Sequence, residues 1–231
     1  LARYFVRLGK TVAGYDRTPS PLTRTLESEG ISLHYQDRVE DIPSAFLKAE
    51  GTLVVYTPAV PPSHSELNYF IRAGYDVKKR AEVLGLVSEN SYCLAVAGTH
   101  GKTTTSCILA HLLREAGLEI TAFLGGVSED FGSNFLMEGT SITVVEADEF
   151  DRSFLHLHPD LCILTSCDPD HLDIYGSLER VKESFCRFAG QTRAGGHIIY
   201  QQDIGLNCLG SLNVECSSYA LQGSADFTVS N

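Results

Sequence analysis

The feature that most constrains the fold is the stretch AVAGTHGKTTTSC, which begins at Ala95. The apolar residues that lead into it predict a buried strand, its glycines predict a tight turn, and the apolar spacing after it predicts a helix. A strand, a glycine turn and a helix that starts at Gly-Lys-Thr form a cradle for phosphate, because the N–H groups of the turn and the positive end of the helix face one anion. In such a cradle Lys102 reaches the β- and γ-phosphates, and the Thr103 hydroxyl binds Mg²⁺.

The match to the general phosphate-binding loop is incomplete. That pattern begins with a glycine five residues before the Gly-Lys pair, where this chain has Val96. The alternative interpretation is an ordinary helix N-terminus with turn glycines and an exposed lysine. The strand before the loop and the helix after it favour phosphate binding, so we expect ATP and Mg²⁺ as cofactors.

Composition and charge limit the possible partners. The 231 residues carry a net charge of −11, which disfavours a nucleic-acid partner and means that an anion must be held by local N–H groups, lysines and metal. No apolar run approaches the length of a membrane span, so we expect no membrane partner. Seven cysteines without a CxxC pair, beside a nucleotide loop, indicate free thiols in the cytoplasm rather than a disulfide scaffold.

The first part of the chain alternates helical and strand patterns, which predicts the α/β class. We expect a partial Rossmann-like domain over residues 1–88, followed over residues 89–231 by a P-loop-containing central domain with a mostly parallel sheet. The first Rossmann strand and its glycine fingerprint would precede Leu1, so we expect the chain to be a piece of a longer protein. Asp16 follows a predicted strand and is placed to bind a ribose hydroxyl or, alternatively, to cap the next turn.

Two local patterns predict details of the chain trace. Ser63 and Glu66 have the spacing of a capping box, which predicts that a helix begins after Ser63. A short strand at 121–124 leads into Gly125-Gly126, and residues 127–140 are expected to form a loop.

Acidic residues follow the next buried strand along the chain. Residues 142–146 are apolar up to Glu146, and Asp148 and Glu149 come directly after it. Because the carboxyl ends of parallel strands line the ligand crevice, Glu146 is placed to hold the Mg²⁺ that Thr103 also holds. A solvated acidic loop is the alternative, but the apolar strand before the cluster favours the metal.

A third apolar strand, residues 161–165, leads into the segment SCDPDHLDIYG. His171 lies there between Asp170 and Asp173. A histidine among acids at the rim of a crevice can bind a second Mg²⁺ or contact the transferring phosphate. Packing or a helix cap is the alternative role for a single histidine.

Three segments together, AGTHGKTTT, EADEFDRSFLHL and DPDHLDIYG, resemble the Mur ligases, the cytoplasmic amide-forming enzymes of peptidoglycan synthesis. The likeness extends from GYDRTPS to the ADF near the C-terminus and is greatest to the branch that joins L-alanine to UDP-N-acetylmuramic acid. The resemblance implies catalytic roles for Lys102, Glu146 and His171, and metal binding by Thr103, Glu146 and His171. It implies an ATP loop made of Gly98, Thr99, His100, Gly101, Lys102, Thr103 and Thr104.

The resemblance also implies where the substrate lies. The first domain would hold the UDP group, with Asp16 among its contacts, and Ser153 would lie toward substrate. The glycine pair Gly125-Gly126 would lie near substrate, with a plain turn as the alternative. Ser166 stands where the family often has asparagine, and it would contact a phosphate-bound water.

The reaction implied by the resemblance is ATP-driven amide formation. ATP phosphorylates the lactyl carboxylate of UDP-N-acetylmuramic acid, and the amine of L-alanine attacks the acyl phosphate. The family's C-terminal domain, which positions the amino acid, has no counterpart here, so we expect this fragment to be inactive by itself. Two alternatives stay open: a recycling ligase that uses a murein tripeptide, and a P-loop kinase or NTPase that needs no amine.

Overall fold

A computed structural model describes residues 1–170 and 172–228. The chain divides into two compact units, Leu1–Val83 and Leu84–Asn231. Among the described residues, no helix is long and apolar enough to cross a membrane.

The first unit alternates short helices and strands, as the sequence pattern predicts. The elements are α1 (Ala2–Arg7), β1 (Ala13–Tyr15), α2 (Pro21–Ser28), β2 (Ser32–His34), β3 (Leu53–Tyr56), α3 (Ser65–Arg72), β4 (Asp76–Lys79) and the start of α4 (Arg80–Glu89). Strands β1 and β2 pair in parallel, and so do β3 and β4. The domain boundary expected at residue 88 stays a prediction, because α4 continues through both that residue and the division at Val83.

The second unit contains an eight-stranded sheet within the described residues. Its elements are β5 (Tyr92–Ala97), α5 (Lys102–Glu115), β6 (Ile120–Ser128), β7 (Ser133–Met137), β8 (Ile142–Glu146), β9 (Leu161–Leu164), α6 (Leu172–Tyr175), α7 (Leu178–Ala189), β10 (His197–Gln201), β11 (Glu215–Ala220) and β12 (Phe227–Thr228). The strand order is β12-β11-β10-β9-β5-β8-β6-β7, and only the β6–β7 pair is antiparallel among these described strands. This confirms the α/β class and the mostly parallel sheet.

The centre of the sheet is β5, whose residues 93–97 are all buried. A continuous apolar strand of this kind needs neighbours on both edges and cover on both faces, as parallel sheets require. Strands β8 and β9 flank it, and α5 packs its apolar residues onto Leu94, Ile120 and Val144. The P-loop strand and helix are therefore anchored in the core, so that the loop between them is held at the sheet edge.

Helix α7 is amphipathic, as its sequence predicts, and its Phe185 and Phe188 are fully buried. Both rings contact Phe154: the Phe154 and Phe188 rings stack at 4.8 Å between centroids, and Phe154 meets Phe185 edge to face at 5.2 Å. Phe154 belongs to a 3-10 segment, Phe150–His156, that follows the acidic cluster. This aromatic contact fixes the end of that segment to the body of the unit.

The prediction that residues 127–140 form a loop is wrong. Strand β6 continues to Ser128, and residues Ser133–Met137 form β7, which pairs with it in antiparallel register. The glycines at 125 and 126 lie inside β6, where the register shifts between Phe123 and Ser128, rather than in a turn. Glycine is common at such irregular strand positions, so the glycine pair alone could not distinguish a bulge from a turn.

The predicted capping box at Ser63 is also wrong. Helix α3 begins at Ser65, and its cap is His64, whose Nδ1 accepts a hydrogen bond from the Leu67 N–H at 3.3 Å. Glu66 is buried instead, with its Oε1 2.7 Å from His34 Nε2. A tertiary contact from β2 thus determines the role of Glu66, which a local pattern cannot show.

The expectation that the cysteines are free is wrong for one pair. Cys186 of α7 and Cys208 form a disulfide, with their Cα atoms 5.8 Å apart. The residues are separated by 22 positions in sequence, and the fold brings α7 and the loop before β11 together. The other five cysteines are free.

Candidate functional site

Three neighbouring strands end at one edge of the sheet. In the parallel register Val96 of β5 faces Glu146 of β8, and Ala97 of β5 faces Leu164 of β9. The loop after β5, the carboxylate at the end of β8 and the residues after β9 therefore lie side by side. This edge is where the sequence predicts the phosphate site.

The glycines of the loop are required by its geometry. Gly98 has φ of 149°, and a Cβ there would lie 1.9 Å from Thr165 Oγ1. Gly101 has φ of 80° at the N-cap of α5. A side chain at either position would strain the backbone, and at position 98 it would also collide with the segment after β9.

The residues after β9 hold the loop in place. Thr165 Oγ1 donates to the carbonyl oxygen of His100 at 2.6 Å, and the His100 N–H donates to Ser166 Oγ at 2.9 Å. Thr99 is buried, and its hydroxyl oxygen lies 2.9 Å from Ser166 Oγ and accepts from the Asp168 N–H at 3.1 Å. Ser166 therefore contacts the loop itself, a role that the resemblance did not indicate.

Lys102 begins α5 and forms a buried ion pair. Its Nζ lies 2.9 Å from Glu149 Oε1 and 2.8 Å from Oε2, and it donates to the Gly98 carbonyl oxygen at 2.6 Å. The Lys102 side chain is 14% exposed and the Glu149 side chain 2%. The sequence left the role of Glu149 open, because an acid in a cluster after a strand gives no sign that it turns inward.

Thr103 and Glu146 are in direct contact, so their oxygens lie close enough to be shared by one ion. Thr103 Oγ1 donates to Glu146 Oε1 at 2.9 Å, and the Gly125 N–H donates to Oε2 at 2.8 Å. A Cβ on Gly125 would lie 2.3 Å from Glu146 Oε1, so glycine is needed for this approach.

A hydroxyl and a carboxylate are hard oxygen donors, and Mg²⁺ is usually held by one or two protein carboxylates plus waters and phosphates. The donors of Thr103 and Glu146 therefore fit the expected metal. Within the described ranges no three or more His, Cys, Asp and Glu side chains group as a metal site. His171 lies outside the described residues, so its roles as catalytic residue and metal ligand stay predictions.

The remaining predicted residues are placed as follows. Asp16 lies at the end of β1, and its Oδ1 accepts from the Thr18 N–H at 3.2 Å, the turn-capping contact that was the alternative role. Ser153 lies half-buried in the 3-10 segment after the acidic cluster. Thr104 is exposed in the first turn of α5. The substrate contacts expected of Asp16 and Ser153 stay predictions.

Tyr175, at the end of α6, contacts the site through a hydrogen bond to a main-chain carbonyl group. Its hydroxyl donates to the Glu149 carbonyl oxygen at 2.5 Å, and the Arg152 guanidinium lies 5.4 Å from the centre of its ring. Burial, with the Glu149 carboxylate nearby, raises the pKa of Tyr175 to about 12, so the hydroxyl remains a donor. Asp151 and Arg152, both with positive φ, form a kink in the chain between Glu149 and Tyr175. The sequence pattern gave no sign of this contact.

The strand, glycine loop, helix and adjoining carboxylate define a P-loop protein of the α/β class. Two family models match the chain: "Mur ligase family, catalytic domain" over residues 1–92 and "Mur ligase middle domain" over residues 96–230. The chain belongs to the Mur ligase family.

Curated relatives agree with this assignment. A UDP-N-acetylmuramate–L-alanine ligase of Flavobacterium johnsoniae is 52% identical over 206 residues, which cover 89% of this chain and 46% of the relative. The enzyme of the same name from Christiangramia forsetii is 50% identical over 232 residues, which cover 100% of this chain and 50% of the relative. The chain thus spans about half the length of the curated relatives that it matches.

Solved structures of the family share the fold. The UDP-N-acetylmuramate–alanine ligase of Thermotoga maritima matches with a TM-score of 0.82 at 25% identity, over 98% of this chain and 50% of that one. The UDP-N-acetylmuramate:L-alanyl-γ-D-glutamyl-meso-diaminopimelate ligase of Neisseria meningitides matches with a TM-score of 0.83 at 24% identity, over 92% of this chain and 71% of that one. The second likeness shows the fold alone.

Proposed function

We propose that the full-length protein is an ATP-dependent ligase that joins L-alanine to UDP-N-acetylmuramic acid in the cytoplasm, as a step of peptidoglycan synthesis. The observation that carries the proposal is the contact of Thr103 with Glu146 beside the loop that presents Lys102. Relatives about 50% identical across the chain support the choice of substrates.

In the proposed reaction a lactyl carboxylate oxygen attacks the γ-phosphorus of ATP, and ADP leaves. The amine of L-alanine then attacks the carbonyl carbon of the acyl phosphate, loses a proton, and inorganic phosphate leaves as the amide forms. Both steps need negative charge to be neutralised and two reactants to be held in line.

The residues of this chain would divide these tasks. Lys102 and the loop N–H groups would hold the β- and γ-phosphates. Thr103 and Glu146 would hold Mg²⁺, with Glu146 and His171 binding a second ion, and the metal would neutralise the transferring phosphate. Asp16 and Ser153 would contact the UDP-sugar.

The test is phosphate release by the full-length protein supplied with ATP and Mg²⁺. Release that requires both UDP-N-acetylmuramic acid and L-alanine is the expected result. Release that requires a murein tripeptide instead of L-alanine would support the recycling ligase. Release that needs no amine would contradict ligase function and support a kinase or NTPase.

A further inference from the structure

Glu149 is the most deeply buried carboxylate at the site, and the proposed reaction does not use it. The residue is 1% exposed, and its Oε2 accepts no hydrogen bond from the part of the chain that the structure describes. Both carboxylate oxygens lie within 2.9 Å of Lys102 Nζ. A buried carboxylate depends strongly on its partner, because an unpaired charge away from water is costly.

Lys102 already donates most of its hydrogen bonds to protein acceptors. An ammonium group has three N–H donors. Within the described residues Nζ donates to the Gly98 carbonyl oxygen at 2.6 Å and to Glu149 Oε1 at 2.9 Å, and Glu149 Oε2 lies 2.8 Å from the same nitrogen as an ion-pair contact. A phosphate that draws Nζ toward itself therefore competes with the buried Glu149 carboxylate for the charge of the lysine.

The main chain of Glu149 is held by its own contacts, independently of Lys102. Its carbonyl oxygen accepts the hydrogen bond from Tyr175, which is itself fully buried. The kink at Asp151 and Arg152 follows directly, and Phe154 behind it is packed between the aromatic rings of α7. The main chain that carries Glu149 is thus held in place, and loss of the ion pair with Lys102 leaves a buried carboxylate without that partner.

We propose that Glu149 is a built-in competitor of the nucleotide phosphates for Lys102, positioned by Tyr175, which lowers the affinity for ATP and returns Lys102 to its place when phosphate leaves. This inference rests on the proposed function, since it takes Lys102 to be the phosphate-binding lysine. Glu149 acts through Lys102 and is a positioning residue.

The test is a thermodynamic cycle in the full-length protein, with the dissociation constants of ATP and AMP measured by calorimetry. Glu149→Gln is expected to tighten ATP binding by about 3- to 30-fold, which lies within the range of coupling energies between directly contacting groups, and to leave AMP binding unchanged. In a Lys102→Met background the same substitution should have no effect on ATP binding. A merely structural role for Glu149 would not depend on Lys102 or on the number of phosphates.

Two further variants keep the test decisive. Glu138→Gln removes the same charge from an exposed pair with Arg114 and should leave ATP affinity unchanged. Tyr175→Phe removes the hydrogen bond to Glu149 with little change of shape, and should tighten ATP binding by a smaller factor that also disappears without Lys102. It replaces Glu149→Gln as the test if that variant does not fold.

The outcomes separate the two proposals. Wild-type protein without measurable ATP affinity would contradict the proposed function and this inference together. Wild-type protein that binds ATP, with Glu149→Gln weakening binding or tightening it equally without Lys102, would overturn the inference alone.

Discussion

At the scale of single residues, the candidate site depends on short distances between atoms, so an added side chain at Gly98 or Gly125 would collide with a neighbouring group. Sequence motifs predicted Lys102, Thr103 and Glu146 as site residues, because each follows a strand or turn with a known spacing. They could not identify the partner of Lys102, since the buried Glu149 looks the same in sequence as the exposed Asp148 beside it.

Lys102→Ala tests the phosphate-binding lysine. We expect ATP-dependent phosphate release by the full-length protein to fall at least about 100-fold, because the γ-phosphate loses its cationic partner. Steady-state phosphate release measures the change, and circular dichroism checks that the variant folds. Lys78→Ala, which removes the same charge from an exposed pair with Asp76, should keep the wild-type rate. Unchanged turnover in Lys102→Ala would remove the phosphate-binding role.

Gly125→Ala tests how Glu146 is positioned. The new methyl group would lie 2.3 Å from Glu146 Oε1 and must displace the carboxylate. We expect the Mg²⁺ concentration for half-maximal turnover to rise about tenfold, as for residues that orient a metal ligand, and to rise further in Glu146→Gln. A magnesium titration measures both changes.

The neighbouring glycine provides the matched control. Among the described residues, a Cβ on Gly126 would meet only Thr103 Cγ2, at the ordinary contact distance of 3.4 Å, so Gly126→Ala should leave the Mg²⁺ requirement unchanged. If Gly125→Ala and Glu146→Gln titrate like the wild type, Glu146 is not a magnesium ligand.

At the scale of elements, regular strands and helices with clear apolar patterns were predicted correctly, and elements defined by their partners were not. Strand β4 has the sequence DVKK, with one apolar residue, and forms because it pairs with β3. Strand β7 was predicted to be part of a loop for the same reason, since its pairing with β6 is a tertiary interaction.

The N-terminus of α3 predicts a pH effect. The Ser65 and Glu66 N–H groups donate to Asp37 at 2.8 and 3.0 Å. Burial alone would raise the pKa of Asp37, but these backbone donors lower it below its ordinary value. A lowered pKa means that the stabilisation is present at neutral pH and is lost as the pH falls through the folded-state pKa.

We therefore expect Asp37→Asn to lower the free energy of unfolding by about 1 kcal/mol at pH 7, the usual value for a helix-capping group, and by less at pH 3. Urea unfolding at the two pH values measures this difference. Asp76→Asn, at an exposed carboxylate, is the control for loss of charge. An equal loss at both pH values would show that the charge of Asp37 does not matter.

The disulfide between Cys186 and Cys208 ties α7 to the segment before β11. Closing a loop of this length restricts the unfolded chain, so reduction should lower the free energy of unfolding by about 3 kcal/mol. Denaturant unfolding with and without reductant measures it. Cys186→Ser should abolish the response to reductant, whereas Cys107→Ser, at a free cysteine, should keep it. Seven titratable thiols in the denatured, unreduced protein would contradict the disulfide.

At the scale of the whole molecule, one principle explains where the site lies. A parallel sheet brings the ends of strands that are far apart in sequence to the same edge, here β5, β8 and β9. The order of these strands could not be derived from the sequence, yet acids after apolar strands already indicated the shared edge. The family relation supports the proposal for the substrates, which the edge alone does not indicate.

We expect the terminal phosphate of ATP to be bound at this edge by Lys102, with the metal on Thr103 and Glu146. A crystal structure of the full-length protein with a non-hydrolysable ATP analogue and Mn²⁺ in place of Mg²⁺ tests it most directly, since anomalous scattering locates the metal. We predict Mn²⁺ bonded to Thr103 and Glu146, and a γ-phosphate oxygen about 2.8 Å from Lys102 Nζ. A triphosphate bound away from these three side chains would show that this edge is not the nucleotide site.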